Sequence, residues 1–162
     1  MNKKIVFFII ILSSVVATAA TSNRNFGAGI VLGDPSAVSG KYWLESKKAI
    51  DMGIGWDSGS NLMVFADYLL HYPEWLANVA HGAKLMPYVG IGGLIKVYSD
   101  DNDKRRNNDD SSMRLVFRIP VGIEWLPKEF PLGLFLELVP GLRIYPNTSS
   151  DIGAGIGARF YF

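Results

Sequence analysis

Apolar side chains occupy every second position over long stretches of this chain, the spacing of an extended strand with one face in an apolar medium. From Met113 to Trp125 the odd positions are Met113, Leu115, Phe117, Ile119, Val121, Ile123 and Trp125, opposite Arg114, Arg118, Gly122 and Glu124. From Leu132 to Ile144 the even positions are apolar and Glu137, Gly141 and Arg143 face the other way. From Asp151 to Phe162, Ile152, Ala154, Ile156, Ala158, Phe160 and Phe162 oppose Asp151, three glycines, Arg159 and Tyr161. The first half follows the same rule over Phe26–Gly33, a short segment Lys41–Ser46, Ile50–Trp56, Leu62–Tyr72 and Tyr88–Val97. Each segment approaches the ~10 residues of a tilted membrane strand, and a soluble strand rarely keeps every outward position apolar. The expected fold is all-β, an eight-stranded antiparallel up-and-down transmembrane β-barrel whose last strand pairs with its first.

Turn chemistry separates the segments at Asp34-Pro35-Ser36, Lys47-Lys48, Ser58-Gly59-Ser60-Asn61, Leu126-Pro127-Lys128 and Pro146–Ser150. With both ends on the periplasmic side, the connections Asp34–Ser39, Ser58–Asn61, Asp100–Ser112 and Pro146–Ser150 face outward from the cell. The alternation then places Phe26, Tyr72, Trp125, Phe160 and Phe162 at the periplasmic rim, and Tyr42 and Trp56 at the outer rim. Two aromatic girdles suit the two membrane interfaces. Pro73–Lys84 reads either as an amphipathic helix with Trp75, Leu76 and Val79 on one face, or as a loop packed under the barrel.

The hydrophobic fraction is 49%, yet beyond residue 20 no run is long and apolar enough for a spanning helix. A closed barrel is the other structure that satisfies all its backbone groups in lipid. Residues 1–20 combine Lys3-Lys4, the apolar run Ile5–Leu12 and the small residues Ala17-Thr18-Ala19-Ala20, the pattern of a cleaved secretory signal peptide. Residues 21–162 then form one barrel domain. No cysteine is present, so neither a lipid-anchoring cysteine nor a disulfide framework is available. The formal net charge of +1 gives no reason to expect nucleic acid as a partner.

The inward face carries Lys41, Lys96, Arg114, Arg118, Arg143 and Arg159 with Glu45, Asp51, Asp57, Asp67, Glu124, Glu137 and Asp151. The interior of so small a barrel is just wide enough for side chains, and an unpaired charge there costs several kcal/mol. Near-equal numbers of both signs predict a closed salt-bridge network of Asp67, Arg118, Glu124, Glu137, Arg143 and Arg159. Its centre is expected at Arg118, Glu137 and Arg159, with Glu137 and Asp67 as partners of Arg159. A lipid-modifying enzyme would need a nucleophile and base facing lipid at the outer rim. The two histidines, His71 and His81, map to the periplasmic side, so no catalytic residue is assigned, and His71 reads as a hydrogen-bonded rim residue. Two histidines and no cysteine do not suggest a zinc set. The loop Asp100–Asp110 lacks the mid-loop Gly and terminal Glu of a calcium site, and Lys104, Arg105 and Arg106 oppose a cation. No metal or cofactor is expected. Asp101, Asp103, Lys104, Arg105 and Arg106 instead form the candidate surface for an extracellular ligand.

Gly27–Pro35, Gly40–Trp43, Ala66–His71, Arg118–Gly122, Phe135–Gly141 and Gly157–Phe162 together resemble a family of small bacterial outer-membrane β-barrel proteins of unknown function. The resemblance spans the whole chain after the signal segment. It implies a barrel like the small OmpA-type transmembrane domains, and it carries over no catalytic residue. The aromatic ending at Phe160 and Phe162 also resembles the C-terminal signal by which such barrels are recognised and inserted. The expected partners are therefore outer-membrane lipids, the outer-membrane assembly machinery and an extracellular ligand. The expected role is structural or ligand-binding in the bacterial outer membrane, with a narrow solute channel as the rival and a lipid-modifying enzyme behind it.

Overall fold

The computed structural model describes residues 25–56, 61–76, 83–98, 113–127 and 129–162. Residues 1–20, expected to be a signal peptide, and Asp57, Val79, His81 and the loop residues Asp101, Asp103, Lys104, Arg105 and Arg106 lie outside them. The strands are β1 (Phe26–Asp34), β2 (Ser36–Glu45), β3 (Lys48–Trp56), β4 (Leu62–His71), β5 (Ala83–Val97), β6 (Met113–Arg118), β7 (Val121–Pro127), β8 (Leu132–Tyr145) and β9 (Ser149–Tyr161). Every neighbouring pair is antiparallel, and the sheet closes on itself through the pairing of β4 with β5.

β6 and β7 are two halves of one stave, because both lie between β5 and β8. The barrel is therefore eight-stranded, as the alternation predicts. The stave is interrupted at Ile119-Pro120, where proline has no N–H to give a ladder. The freed groups find other partners: Gly90 donates to the Pro120 carbonyl at 2.8 Å and Ile119 to that of Pro140 at 2.9 Å. Alternation passes through the break unchanged, with Arg118 and Pro120 buried and Ile119 and Val121 exposed. The seam runs from Gly27 opposite Tyr161 to Asp34 opposite Ala154, and Phe162 donates to the Phe26 carbonyl at 2.8 Å. The last strand thus closes the barrel on the first.

The structure revises several local expectations. β2 begins at Ser36 rather than Lys41, which reduces the connection after β1 to a tight turn at Pro35. Ser36 and Ser39 read as turn residues, but Val38 pairs outward with Ile30 and Ile54 while Ala37 and Ser39 are buried inside. With β2 running back from Ser36, Tyr42 lies opposite Phe26 at the rim that holds the chain end, not the opposite rim. Trp56, opposite Ser36, does lie at the far rim. Between β4 and β5 the described residues hold one 3₁₀ turn, Pro73–Leu76, rather than a helix reaching Lys84. β5 already runs from Ala83, because Lys84–Pro87 complete a ladder with Ile123–Leu126 of β7.

Outward positions are apolar and exposed on every stave, among them Ile54 (57%), Leu136 (56%) and Ile152 (76%). The inner face is filled by matching large side chains with glycines on the adjoining strand. A Cβ on Gly157 would lie 2.2 Å from the Phe135 ring, one on Gly53 2.5 Å from the Phe65 ring, and one on Gly122 2.5 Å from the Tyr88 ring. The absent side chains are the space in which those rings lie. Gly157→Leu should accordingly lower stability by about 1–3 kcal/mol through overpacking. Gly93→Ala, whose Cβ would meet nothing nearer than 3.9 Å, should change it by less than about 0.5 kcal/mol. Urea unfolding of the refolded proteins, followed by tryptophan fluorescence, measures both.

Candidate functional site

Strand parity delivers the inward charges, and register brings them together. Lys41 of β2 lies opposite Asp51 of β3, which lies opposite Asp67 of β4. Asp67 in turn faces Gly92 of β5, and Gly92 faces Arg118 of β6. A Cβ on Gly92 would stand 2.0 Å from Asp67 Oδ1. The glycine therefore leaves the gap across which Asp67 and Arg118 meet.

Two ion clusters result, both buried. In the first, Arg118 lies between Asp67 (Nε to Oδ1, 3.2 Å) and Glu137 (Nη2 to Oε1, 3.5 Å), with its guanidinium 4.4 Å from the centre of the Phe65 ring. Tyr88 donates its hydroxyl to the other Glu137 oxygen at 2.9 Å. In the second, nearer the end that holds Phe162, Arg159 bonds Asp51 and donates to Ser39 Oγ at 3.2 Å. Lys41 bonds Glu124, which also accepts the Tyr161 hydroxyl at 2.5 Å and lies 3.9 Å from Arg159. His71 Nε2 is 2.8 Å from Lys41 Nζ. An ammonium has only hydrogens to offer, so this nitrogen accepts. The rings of Trp43 and Phe135 cover the Lys41 and Arg159 cations at 4.3 and 3.8 Å.

Val31, Ala37, Met63, Phe65, Leu94, Val116 and Phe135 form one buried apolar layer, which extends toward the Trp56 rim from the Phe135 ring that lies on Arg159. Ion clusters and apolar layer together fill the bore. Beyond the layer the barrel opens into a cup of about 140 Å³ at that rim. Its wall includes Asp34, Lys96, Arg114 and Asp151.

Five of the six residues expected to pair do so, in a different arrangement. Asp67, Arg118 and Glu137 meet as one cluster. Glu124 and Arg159 belong to the other, with Asp51 and Lys41. Arg159 therefore takes Asp51 and Glu124 as partners in place of Glu137 and Asp67, because β9 carries it closer to the chain-end rim than Arg118. Arg143 joins neither cluster; it is half-buried near the Trp56 rim, opposite Ser149 and Val116. His71, the last residue of β4, is hydrogen-bonded as expected, and it is buried inside the lumen. Ser39, Tyr88 and Tyr161 complete the clusters and share inward parity with the charges, the signal by which they were legible. At the seam, Phe162 packs on Phe26 and Phe160, with ring centres 6.2 and 5.2 Å apart.

Removing one partner of a buried pair strands the other. Glu124→Gln should cost about 3–5 kcal/mol, since Lys41 loses its counter-charge and Arg159 keeps only Asp51. Lys48→Gln, which breaks only the exposed pair with Glu45, should leave the urea midpoint unchanged.

Among solved structures, the N-terminal β-barrel domain of Pseudomonas aeruginosa OprF superposes with a TM-score of 0.61 at 18% identity, over 85% of this chain and 95% of that one. A chain from the de novo design of transmembrane β-barrels superposes with a TM-score of 0.54 at 18% identity, over 88% of this chain and 98% of that one. The fold is thus an outer-membrane-type barrel. No curated protein matches the sequence. The family model described as "Protein of unknown function (DUF3996)" matches residues 17–162, so this closed barrel with its charge-filled bore belongs to that family.

Proposed function

We propose that the protein is an integral outer-membrane barrel with a closed lumen, exported by residues 1–20 and serving a structural or surface ligand-binding role. One observation carries this reading: the outer wall is apolar on every stave, while the bore is filled by paired charge and a packed apolar layer. The wall matches lipid as a solvent. A bore filled in this way among the described residues speaks against passage of a solute. Phe160 and Phe162 serve the assembly machinery as the insertion signal, and Asp101, Asp103, Lys104, Arg105 and Arg106 offer an extracellular ligand its contact surface. The lipid-modifying alternative is disfavoured by His71, which faces the lumen on Lys41 rather than lipid.

Two measurements test this. Boiled and unboiled samples of the outer-membrane fraction should migrate differently on a denaturing gel, and recovery from the soluble periplasm would overturn the membrane reading. In planar bilayers the refolded protein should give no steady unitary conductance. Discrete, reproducible openings would replace the closed barrel with the narrow channel.

A further inference from the structure

The cup at the Trp56 rim lies beyond the second ion cluster and touches the first only through Arg118, which lines its base and is already paired with Asp67 and Glu137. Its floor is the apolar layer, with Met63, Leu94, Val116 and Val139 beneath the opening. Its charges are segregated by stave. Asp34 and Asp151 stand on β1 and β9, which adjoin, whereas Lys96 and Arg114 stand on β5 and β6, which also adjoin, with β8 alone between β9 and β6. Lys96 and Arg114 are themselves opposite one another in register, and both approach the Tyr98 ring, at 5.4 and 5.3 Å. Among the described residues no ion pair joins Arg114 to Asp34 or Asp151.

Glycine keeps the space between the two walls open. Gly141, on β8 between them, would place a Cβ 3.0 Å from Val116 Cγ1 and 3.8 Å from Asp151 Cβ. Gly153 lines the same space on β9. A cavity of roughly 150 Å³ accommodates a molecule the size of benzene, so the cup has room for a small organic ligand. A simple anion would meet the two carboxylates, and a simple cation the two basic groups. A molecule with both charges meets each wall with its complement.

We propose that this cup binds small zwitterions, with the ligand's carboxylate on Arg114 and its ammonium on Asp151 and Asp34. The proposal deepens the surface ligand-binding reading above, and rests on it only for the cup's access to the medium. Arg114 supplies a fork of donors suited to a carboxylate, and Asp151 is acceptor-only toward an ammonium. The apolar floor limits depth, which favours short, unbranched ligands such as ω-amino acids and glycine dipeptides over longer peptides.

The probes are glycine, β-alanine, 4-aminobutyrate and glycylglycine, with acetate and methylammonium as single-charge controls. Each is titrated into detergent-refolded protein while the amide resonances of Gly141 and Gly153 are followed. At least one zwitterion should shift both resonances saturably, with a dissociation constant of about 1–10 mM. Acetate and methylammonium should bind roughly tenfold more weakly or worse. Arg114→Gln and Asp151→Asn should each weaken the best zwitterion by about tenfold while keeping the boiled-against-unboiled mobility difference. If Asp151→Asn fails to fold, Asp34→Asn replaces it. Acetate binding as tightly as the best zwitterion, zwitterion binding indifferent to both variants, or no saturable shift from any probe up to ~100 mM would each overturn the proposal. A folded barrel that ignores every probe leaves the membrane reading standing, whereas a soluble periplasmic location removes that reading without touching the binding measurement.

Discussion

A charged side chain inside a barrel this narrow has little water to turn to, so each one must find its counter-charge on another stave or cost several kcal/mol. The rest of the structure is arranged around that requirement. Arg118 ties β6 to Asp67 on β4 and Glu137 on β8, and Arg159 ties β9 to Asp51 on β3. Lys41 and Glu124 link β2 to β7. These contacts cross the lumen as well as following the ladder, so the circumference is held from inside as well as by backbone hydrogen bonds. A shift of one residue in any stave would turn its charge toward the outer wall.

Glycine is the complement of that arrangement. Four inner groups lie over strand positions without a side chain: Phe135 at Gly157, Phe65 at Gly53, Tyr88 at Gly122 and Asp67 at Gly92. Bulk and its absence are thus assigned to adjacent staves, which lets an eight-stranded bore be filled to contact without forcing the backbone apart. The same device, used without a large partner at Gly141 and Gly153, leaves the cup. Filling and opening are then two outcomes of one choice, made stave by stave.

Much of this was legible along the chain. Outward and inward faces of β8 and β9 follow directly from Leu132–Ile144 and Asp151–Phe162, because side chains alternate strictly in an extended strand. The barrel and its closing seam follow from the same alternation and from the lipid solvent it implies. Reading failed where a residue's local habit opposed its place in the sheet. Ser36 and Ser39 suggested a loop, yet the ladders with β1 and β3 hold them extended. The strand expected to start at Tyr88 instead begins at Ala83, with Pro87 inside its ladder. Tyr42 followed the misplaced start of β2 to the wrong rim.

The sequence by itself determined which side chains face in and which face out, since that depends only on odd or even position within a strand. It therefore specified a charged, nearly neutral interior and an apolar exterior, and with them the kind of barrel. Which charge meets which was decided only by tertiary structure, because partners depend on the stagger between staves, and stagger comes from turn lengths and the closing seam. Thus Arg159 and Arg118, alike in parity and neighbourhood along the chain, pair with Asp51 and with Asp67 and Glu137 respectively. Arg143, alike in parity, is left near the rim with neither.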